Sequence, residues 1–218
     1  AKEWPWIDFD HAIIDYDVVL KAPEHLNSAG LGDVLCGYAP IAEWRRNSKL
    51  GISPKFDQEA TAIAMGHFNE IRVEFPKTLD CEGNLTQDSI HMIVTAIQER
   101  DDKTLKHPAA PAADHPIWLA AEEINQKTWI HGEFVALGAL IIAWHCNEDP
   151  DLVADTLDKC KVRHRPKEIG VTREELAKAL EYAPVFMSGE SNGRNLDSIL
   201  RFEPIIGDRF ESLWKYLE

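Results

Sequence analysis

Cysteine is scarce in this chain, and no two cysteines form a Cys-x-x-Cys pair. The four cysteines are Cys36, Cys81, Cys146 and Cys160. A thiolate zinc site and a thioredoxin-like motif are therefore not expected, because both need closely spaced cysteines. Four free thiols, most of them buried, fit a protein kept in a reducing compartment.

Long apolar runs and basic segments are also lacking. The longest apolar run, from Phe134 to Trp144, is shorter than the ~20 residues that span a bilayer, and residues 1–6 do not resemble a signal peptide. The formal net charge of −14 would repel the phosphates of nucleic acids and anionic membranes. We therefore expect a soluble, cytoplasmic protein with neither nucleic acid nor membrane as a partner.

A nucleotide site of the Rossmann type is the third absence. Such a site needs a Gly-x-Gly-x-x-Gly turn between a strand and a helix. The nearest candidate, Gly30-Leu31-Gly32, has no third glycine and lies in a predicted helical hairpin. The sequence therefore contains no nucleotide site of the Rossmann type.

Helical periodicity is what the sequence does contain. Residues 12–20 are β-rich and predict a short strand or an extended arm, but apolar residues afterwards recur at helical spacing. Helices are predicted over about 24–29, 33–48, 60–71, 86–100, 115–126, 131–146, 150–162 and 172–187, with a last helix near the end. The pattern predicts an all-α, multi-helix bundle over 23–218, preceded by a short extended N-terminal segment over 1–22.

Two further features refine this prediction. The segment 131–146 is apolar almost all round, which predicts the central, buried helix of the bundle. Glycines at 30 and 32 predict a break between two helices.

Three polar side chains stand where predicted helices begin and then turn apolar: Asp33, His115 and His131. One carboxylate and two imidazoles make a three-ligand metal set that leaves a coordination position open, as catalytic metal sites do. Each residue also has a structural alternative. Asp33 could cap a helix, His115 could be solvated, and His131 could interact with the N-terminus of the buried helix.

Residues next to this set have predicted supporting roles. Asp114 and Glu133 are candidates for orienting the two imidazoles. His145 lies two heptads beyond His131, and a position in the core is favoured for it over a role as a fourth ligand or proton shuttle.

Longer segments around these residues carry a family resemblance. The motifs are Ala12 to Val19 with Lys21-Ala22-Pro23, Ser28 to Leu35, Ala109 to His115, His131-Gly132-Glu133 with Val135 and Gly138, and Ser198-Ile199-Leu200. They resemble glycerol-1-phosphate dehydrogenases, which belong with glycerol dehydrogenases and iron-containing alcohol dehydrogenases; dehydroquinate synthases are more distant relatives. The match runs from about residue 12 to about residue 202 and corresponds to the C-terminal half of a typical member.

The resemblance implies a function and a cofactor set. It implies the helical, metal-binding half of an NAD(P)-dependent polyol or glycerol-phosphate dehydrogenase, with Asp33, His115 and His131 as ligands of zinc, or of iron or nickel as in some relatives. The metal would polarise a substrate hydroxyl or ketone for hydride transfer. The nicotinamide would come from a Rossmann-like domain or partner subunit, so the chain is expected to be inactive alone.

Other interpretations remain open at this level. One is a helical binding module that has lost redox activity, and another is a metal-dependent lyase similar to dehydroquinate synthase. A phosphohydrolase of the HD type is less favoured, because it needs His-Asp and this chain has Asp114-His115. A homo-oligomer is compatible with each of them.

Overall fold

The computed structural model describes residues 13–107, 109–110, 113–189 and 196–218. Within these ranges the chain consists of α-helices joined by turns and short 3-10 segments, and it contains no β-strand. The prediction of an all-α multi-helix bundle is confirmed. In chain order the helices are α1 (Tyr16–Leu20), α2 (Glu24–Leu35), α3 (Tyr38–Leu50), α4 (Ala62–Glu74), α5 (Gln87–Lys103), α6 (Asp114–Asn125), α7 (His131–Cys146), α8 (Pro150–Lys159), α9 (Pro166–Ile169), α10 (Arg173–Ser188), α11 (Ile199–Phe202) and α12 (Asp208–Leu217).

Helix α7 forms the centre of the bundle. Every one of its residues except His131 and Trp144 is buried, and α2, α3, α6 and α8 pack around it. The helix ends at Asn147, whose backbone is left-handed and donates its N–H to the carbonyls of the preceding turn. The central helix predicted over 131–146 is confirmed. No helix in the described part of the chain is long and apolar enough to cross a bilayer.

Glycines set the distance between α7 and its neighbours. A Cβ atom added at Gly32 of α2 would overlap the carbonyl oxygen of Gly132, and one added at Gly132 would overlap the carbonyl oxygen of Ala29. A Cβ atom at Gly138 would lie 2.8 Å from the carbonyl oxygen of Asp114, at the start of α6. Because only hydrogen fits at these three positions, α2 and α6 contact the backbone of α7 directly.

The glycines at 30 and 32 do not break the helix, so the predicted interruption there is wrong. Helix α2 is continuous, and the chain turns instead at Cys36 and Gly37 before α3. Gly32 faces α7, and Gly30 faces Ile97 of α5. Both glycines are therefore at close helix–helix contacts, where the packing outweighs their low helix propensity.

The extended conformation predicted for residues 12–20 is also wrong where the structure describes it. Residues Tyr16–Leu20 form α1, because the Asp15 side chain accepts hydrogen bonds from the backbone N–H groups of Asp17 and Val18 and caps the helix. Residues 1–12 lie outside the described residues. The division into a segment 1–22 and a domain 23–218 stays a prediction.

Substitution of Gly132 tests the importance of the close contact between α2 and α7. Gly132→Ala is expected to lower the free energy of unfolding by about 1–3 kcal/mol, because the two backbones must separate to admit a methyl group. The measurement is urea unfolding followed by circular dichroism.

Gly66→Ala is the matched control, since Gly66 also lies within a helix but nothing comes within 4 Å of its added Cβ. That change is expected to stabilise the protein by about 0.5–1 kcal/mol through helix propensity alone. Equal effects of the two substitutions would contradict the packing role of Gly132.

Candidate metal centre

The three candidate ligands come from three helices and meet at one oxygen. Asp33 lies near the end of α2, His115 is the second residue of α6, and His131 is the first residue of α7. The Nε2 atoms of His115 and His131 lie 3.2 Å and 3.1 Å from Oδ1 of Asp33. One ligand atom from each residue lies within 4.8 Å of the others. The structure therefore brings together all three residues singled out from the sequence.

These separations can be compared with the size of a zinc site. Ligand atoms bonded tetrahedrally to zinc at about 2.0–2.2 Å are roughly 3.3–3.6 Å apart. The observed 3.1 Å and 3.2 Å are slightly shorter, so a small outward movement of the side chains would admit the ion. The donor set and its spacing therefore fit a zinc ion, or another borderline divalent metal ion.

Asp114 orients the ring of His115. Oδ2 of Asp114 lies 2.6 Å from Nδ1 of His115, and Asp114 is only 1% exposed. An ionised carboxylate has no proton to give, so Nδ1 must donate. Nε2 is then the ring nitrogen that faces the Asp33 carboxylate, and these two atoms need a proton or a metal cation between them. Asp114 thus occupies the orienting position hypothesised for it.

Glu133 is placed differently from that hypothesis. None of the described hydrogen bonds joins Glu133 to either imidazole of the centre, and its buried Oε1 has no partner among the described residues. Burial raises the pKa of Glu133, and the nearby charge of Arg163 opposes that shift. Its carboxyl therefore lies in the electrostatic neighbourhood of Arg163, which the sequence pattern did not indicate.

The ring of His131 is enclosed on one side by Trp118. Their ring centroids are 4.4 Å apart and nearly perpendicular. Burial lowers the pKa of His131, and electrostatic interaction with the neighbouring His115 and Arg100 lowers it further. A ring that stays neutral keeps a lone pair available for a metal ion. Trp118 was not identified from the sequence, because an aromatic residue in an amphipathic helix carries no distinctive signal.

Arg100 is a second residue that the sequence analysis missed. It lies in the last turns of α5, and its Nη1 donates to Oδ2 of Asp33, the carboxylate oxygen that does not face the histidines. Arg100 belongs to the charged stretch Glu99–Lys103, which by its pattern resembles an ordinary solvated helix end. Only the packing of α5 against α2 reveals the contact.

The centre is accessible from solvent. The side chains of Asp33, His115 and His131 are 20%, 33% and 39% exposed. A cleft beside them is also lined by Arg100 and Lys106. A small molecule in this cleft can therefore reach Asp33 and His115, which line it, whereas His131 does not line it.

His145 is a core residue, as the sequence analysis favoured. It is 4% exposed and lies almost the full length of α7 from His131, roughly 20 Å at 1.5 Å per residue. Burial lowers its pKa to about 4. That distance excludes His145 as a fourth ligand of the same ion.

Glu43 is a buried carboxyl that joins two helices of the bundle. The carboxyl is buried in α3, and its Oε1 accepts hydrogen bonds from Ser198 Oγ at 2.6 Å and from the Ile199 backbone at 2.7 Å. Burial raises the pKa of Glu43 to about 7. The hydrogen bonds from Ser198 and Ile199 oppose this shift, whereas the negative charge of Asp114 adds to it. Glu43 thus connects α3 to α11 by a carboxyl that resists ionisation.

The shifted pKa of Glu43 predicts a pH dependence of stability. The unfolded state ionises near the ordinary value of 4.5, whereas the folded state keeps its proton up to about pH 7. The contribution of protonated Glu43 to the free energy of unfolding is therefore fully present below pH 4.5 and is lost as the pH rises through 7. The free energy of unfolding should fall by about 2–3 kcal/mol between pH 5 and pH 8 for this reason. Glu43→Gln should not show this loss.

The measurement is the free energy of unfolding in urea at pH 5 and pH 8 for both proteins. Taking the difference between wild type and variant cancels the contributions of other groups, including His145. A difference that does not change with pH would show that Glu43 titrates at its ordinary value.

An all-helical bundle with an open His-His-Asp centre is the class of protein that these features define. No family model matches the chain. Curated proteins do match: the chain is 25% identical over 177 residues to the glycerol-1-phosphate dehydrogenase [NAD(P)+] of Saccharolobus islandicus, covering 78% of this chain and 48% of that protein. The enzyme of the same name from Methanococcus maripaludis is 25% identical over 197 residues, which cover 87% of this chain and 57% of that protein. The one from Aeropyrum pernix is 24% identical over 177 residues.

The resemblance expected from the sequence motifs is therefore confirmed. The chain is a distant relative of proteins named glycerol-1-phosphate dehydrogenase, at 24–25% identity. It spans about half the length of the curated relatives it matches.

Proposed function

We propose that this chain is the metal-binding catalytic half of an NAD(P)-dependent polyol or glycerol-phosphate dehydrogenase. The observation that carries the proposal is the convergence of two imidazole Nε2 atoms on one oxygen of Asp33, 3.1–3.2 Å away. The names of the relatives support the reaction class and the cofactor NAD(P).

Each residue of the centre has a distinct role in this proposal. Asp33, His115 and His131 would hold the metal, with zinc favoured by the ligand types and iron or nickel as alternatives. Asp114 holds His115 in the tautomer that presents Nε2. Trp118 limits the orientation of the His131 ring by packing against it. When bound, the metal would supply Lewis acidity that lowers the pKa of a substrate hydroxyl or polarises a ketone.

The substrate would reach the centre from the cleft. Its small size and the cations along its wall, Arg100 and Lys106, suit a small polyol or a polyol phosphate. The nicotinamide would be held by a Rossmann-like domain or subunit, since the sequence of this chain has no glycine-rich dinucleotide turn. This division agrees with the alignment to about half of each relative.

Metal binding is the direct test of the centre. Wild-type protein treated with EDTA and then titrated with Zn²⁺ is expected to bind about one ion per chain. His131→Ala removes one of three ligands, so its affinity for zinc should fall by more than the 10–100-fold that loss of an outer-shell partner causes. The measurements are isothermal titration calorimetry and elemental analysis after dialysis.

His91→Ala is the matched control, because His91 is an exposed histidine on α5 whose Nδ1 contacts Tyr16. This variant should bind zinc as wild type does. Circular dichroism of all three proteins checks that they are folded. Negligible zinc in wild type and in both variants would refute the proposed centre.

Activity measurements test the division into two halves. The isolated chain, loaded with zinc, is expected to reduce neither NAD nor NADP with glycerol or glycerol 1-phosphate, because it has no nucleotide-binding turn. Absorbance at 340 nm is the measurement. Sustained turnover by the pure chain would mean that it carries a nucleotide site of another kind.

A further inference from the structure

The two oxygens of Asp33 face different partners. Oδ1 faces the imidazoles of His115 and His131, whereas Oδ2 accepts a hydrogen bond from the Arg100 guanidinium. The side chain of Asp33 is 20% exposed and that of Arg100 is 36% exposed. The charge of this carboxylate is therefore already compensated by a cation that belongs to the protein.

The helix packing holds Arg100 in this position. Gly30 and Asp33 lie three residues apart on one face of α2, and Ile97 and Arg100 have the same spacing on α5. The side chain of Ile97 lies against Gly30, where an added Cβ would come within 2.7 Å of it. The contact between Gly30 and Ile97 thus brings Asp33 and Arg100 together one turn further along the two helices. The ion pair follows from the backbone arrangement rather than from a chance surface encounter.

A divalent metal ion on Oδ1 would stand next to this guanidinium. A charge of +2 on the ion and a charge of +1 on the guanidinium, about 6 Å apart, repel each other by roughly 1.4 kcal/mol even at the dielectric constant of water. That free energy corresponds to about a tenfold change in a binding constant. The repulsion is stronger where solvent is partly excluded. Arg100 also draws on the same negative charge that would attract the metal.

We propose that Arg100 is an internal counter-cation that competes with the metal ion for the charge of Asp33. In the metal-free chain it stabilises the carboxylate between α2 and α5. When a metal ion binds, it does so against this positive charge, so Arg100 lowers the affinity of the centre and makes its loading depend on metal supply. This inference rests on the proposed function, because it needs the metal centre to exist.

The sign of one substitution separates this role from its main alternative. If Arg100 instead positions Asp33 for the metal, removing it should weaken binding 10–100-fold, as losses of outer-shell partners do. If it competes, Arg100→Met should tighten zinc binding about tenfold or more. Arg100→Lys keeps the positive charge and should remain close to wild type.

Lys103→Met is the control for the loss of a positive charge. Lys103 lies on the same helix, one turn from Arg100, but it pairs with Glu99 and Glu70 rather than with Asp33. Its removal should change zinc affinity less than about threefold, because this charge is paired with two other carboxylates and does not contact Asp33. The probe is Zn²⁺ alone, titrated against a chelator of known affinity in EDTA-treated protein.

A metal-free measurement gives an independent readout. In EDTA, urea unfolding of Asp33→Asn, Arg100→Met and the double variant should be non-additive, since either single change leaves one charge of the pair uncompensated. Additive effects would show that the two residues do not interact energetically and would overturn the inference.

The outcomes for zinc are also distinct. Tighter binding by Arg100→Met than by wild type supports competition. Equal or weaker binding by Arg100→Met overturns the inference and leaves the metal centre standing. If neither protein binds zinc, the proposed function fails and the inference fails with it.

Discussion

The direct contact between the backbones of α2 and α7 is the constraint on which the rest of the centre depends. Gly32 and Gly132 each lie where a methyl group would overlap a carbonyl oxygen of the facing helix. Asp33 follows the first glycine and His131 precedes the second, so the approach that needs hydrogen at 32 and 132 also brings a carboxylate to an imidazole. Gly138 has the same effect on α6, which delivers Asp114 and His115. The helix contacts that these glycines permit therefore also determine where the candidate metal ligands lie.

The longer helices and the three central residues could be predicted because their signals are local. The apolar run of α7 and the residues Thr172 to Glu175 at the start of α10 are each patterns within a short stretch of sequence. The glycines of α2 misled the prediction, since a glycine that breaks a helix and a glycine that admits a neighbouring helix look the same in sequence. Arg100 could not be found for a related reason. Its role depends on which face of α5 meets α2, and this is a property of the tertiary packing.

Helix ends influence the electrostatics of the centre. His115 and His131 both lie in the first turns of helices, where the dipole disfavours a positively charged ring. Burial acts in the same direction on His131, and the Asp114 carboxylate fixes the tautomer of His115. Both rings thus present Nε2 toward Oδ1 of Asp33, where a cation would be bound. The negative charge that a metal ion needs comes instead from Asp33 and from the buried Asp114.

The charges around the centre then determine what kind of ligand it attracts. Asp33 and Asp114 carry two negative charges and Arg100 carries one positive charge, so these three side chains have a net charge of −1. A divalent ion would reverse this sign and give the centre an excess of one positive charge, beside the exposed cation Lys106. In a chain with a formal net charge of −14, such a local excess would concentrate electron-rich oxygens in the cleft and repel other cations. In the proposed enzyme the guanidinium of Arg100 would weaken metal binding and strengthen the binding of an anionic substrate, and this trade between the two affinities gives a physical reason for an arginine at this position.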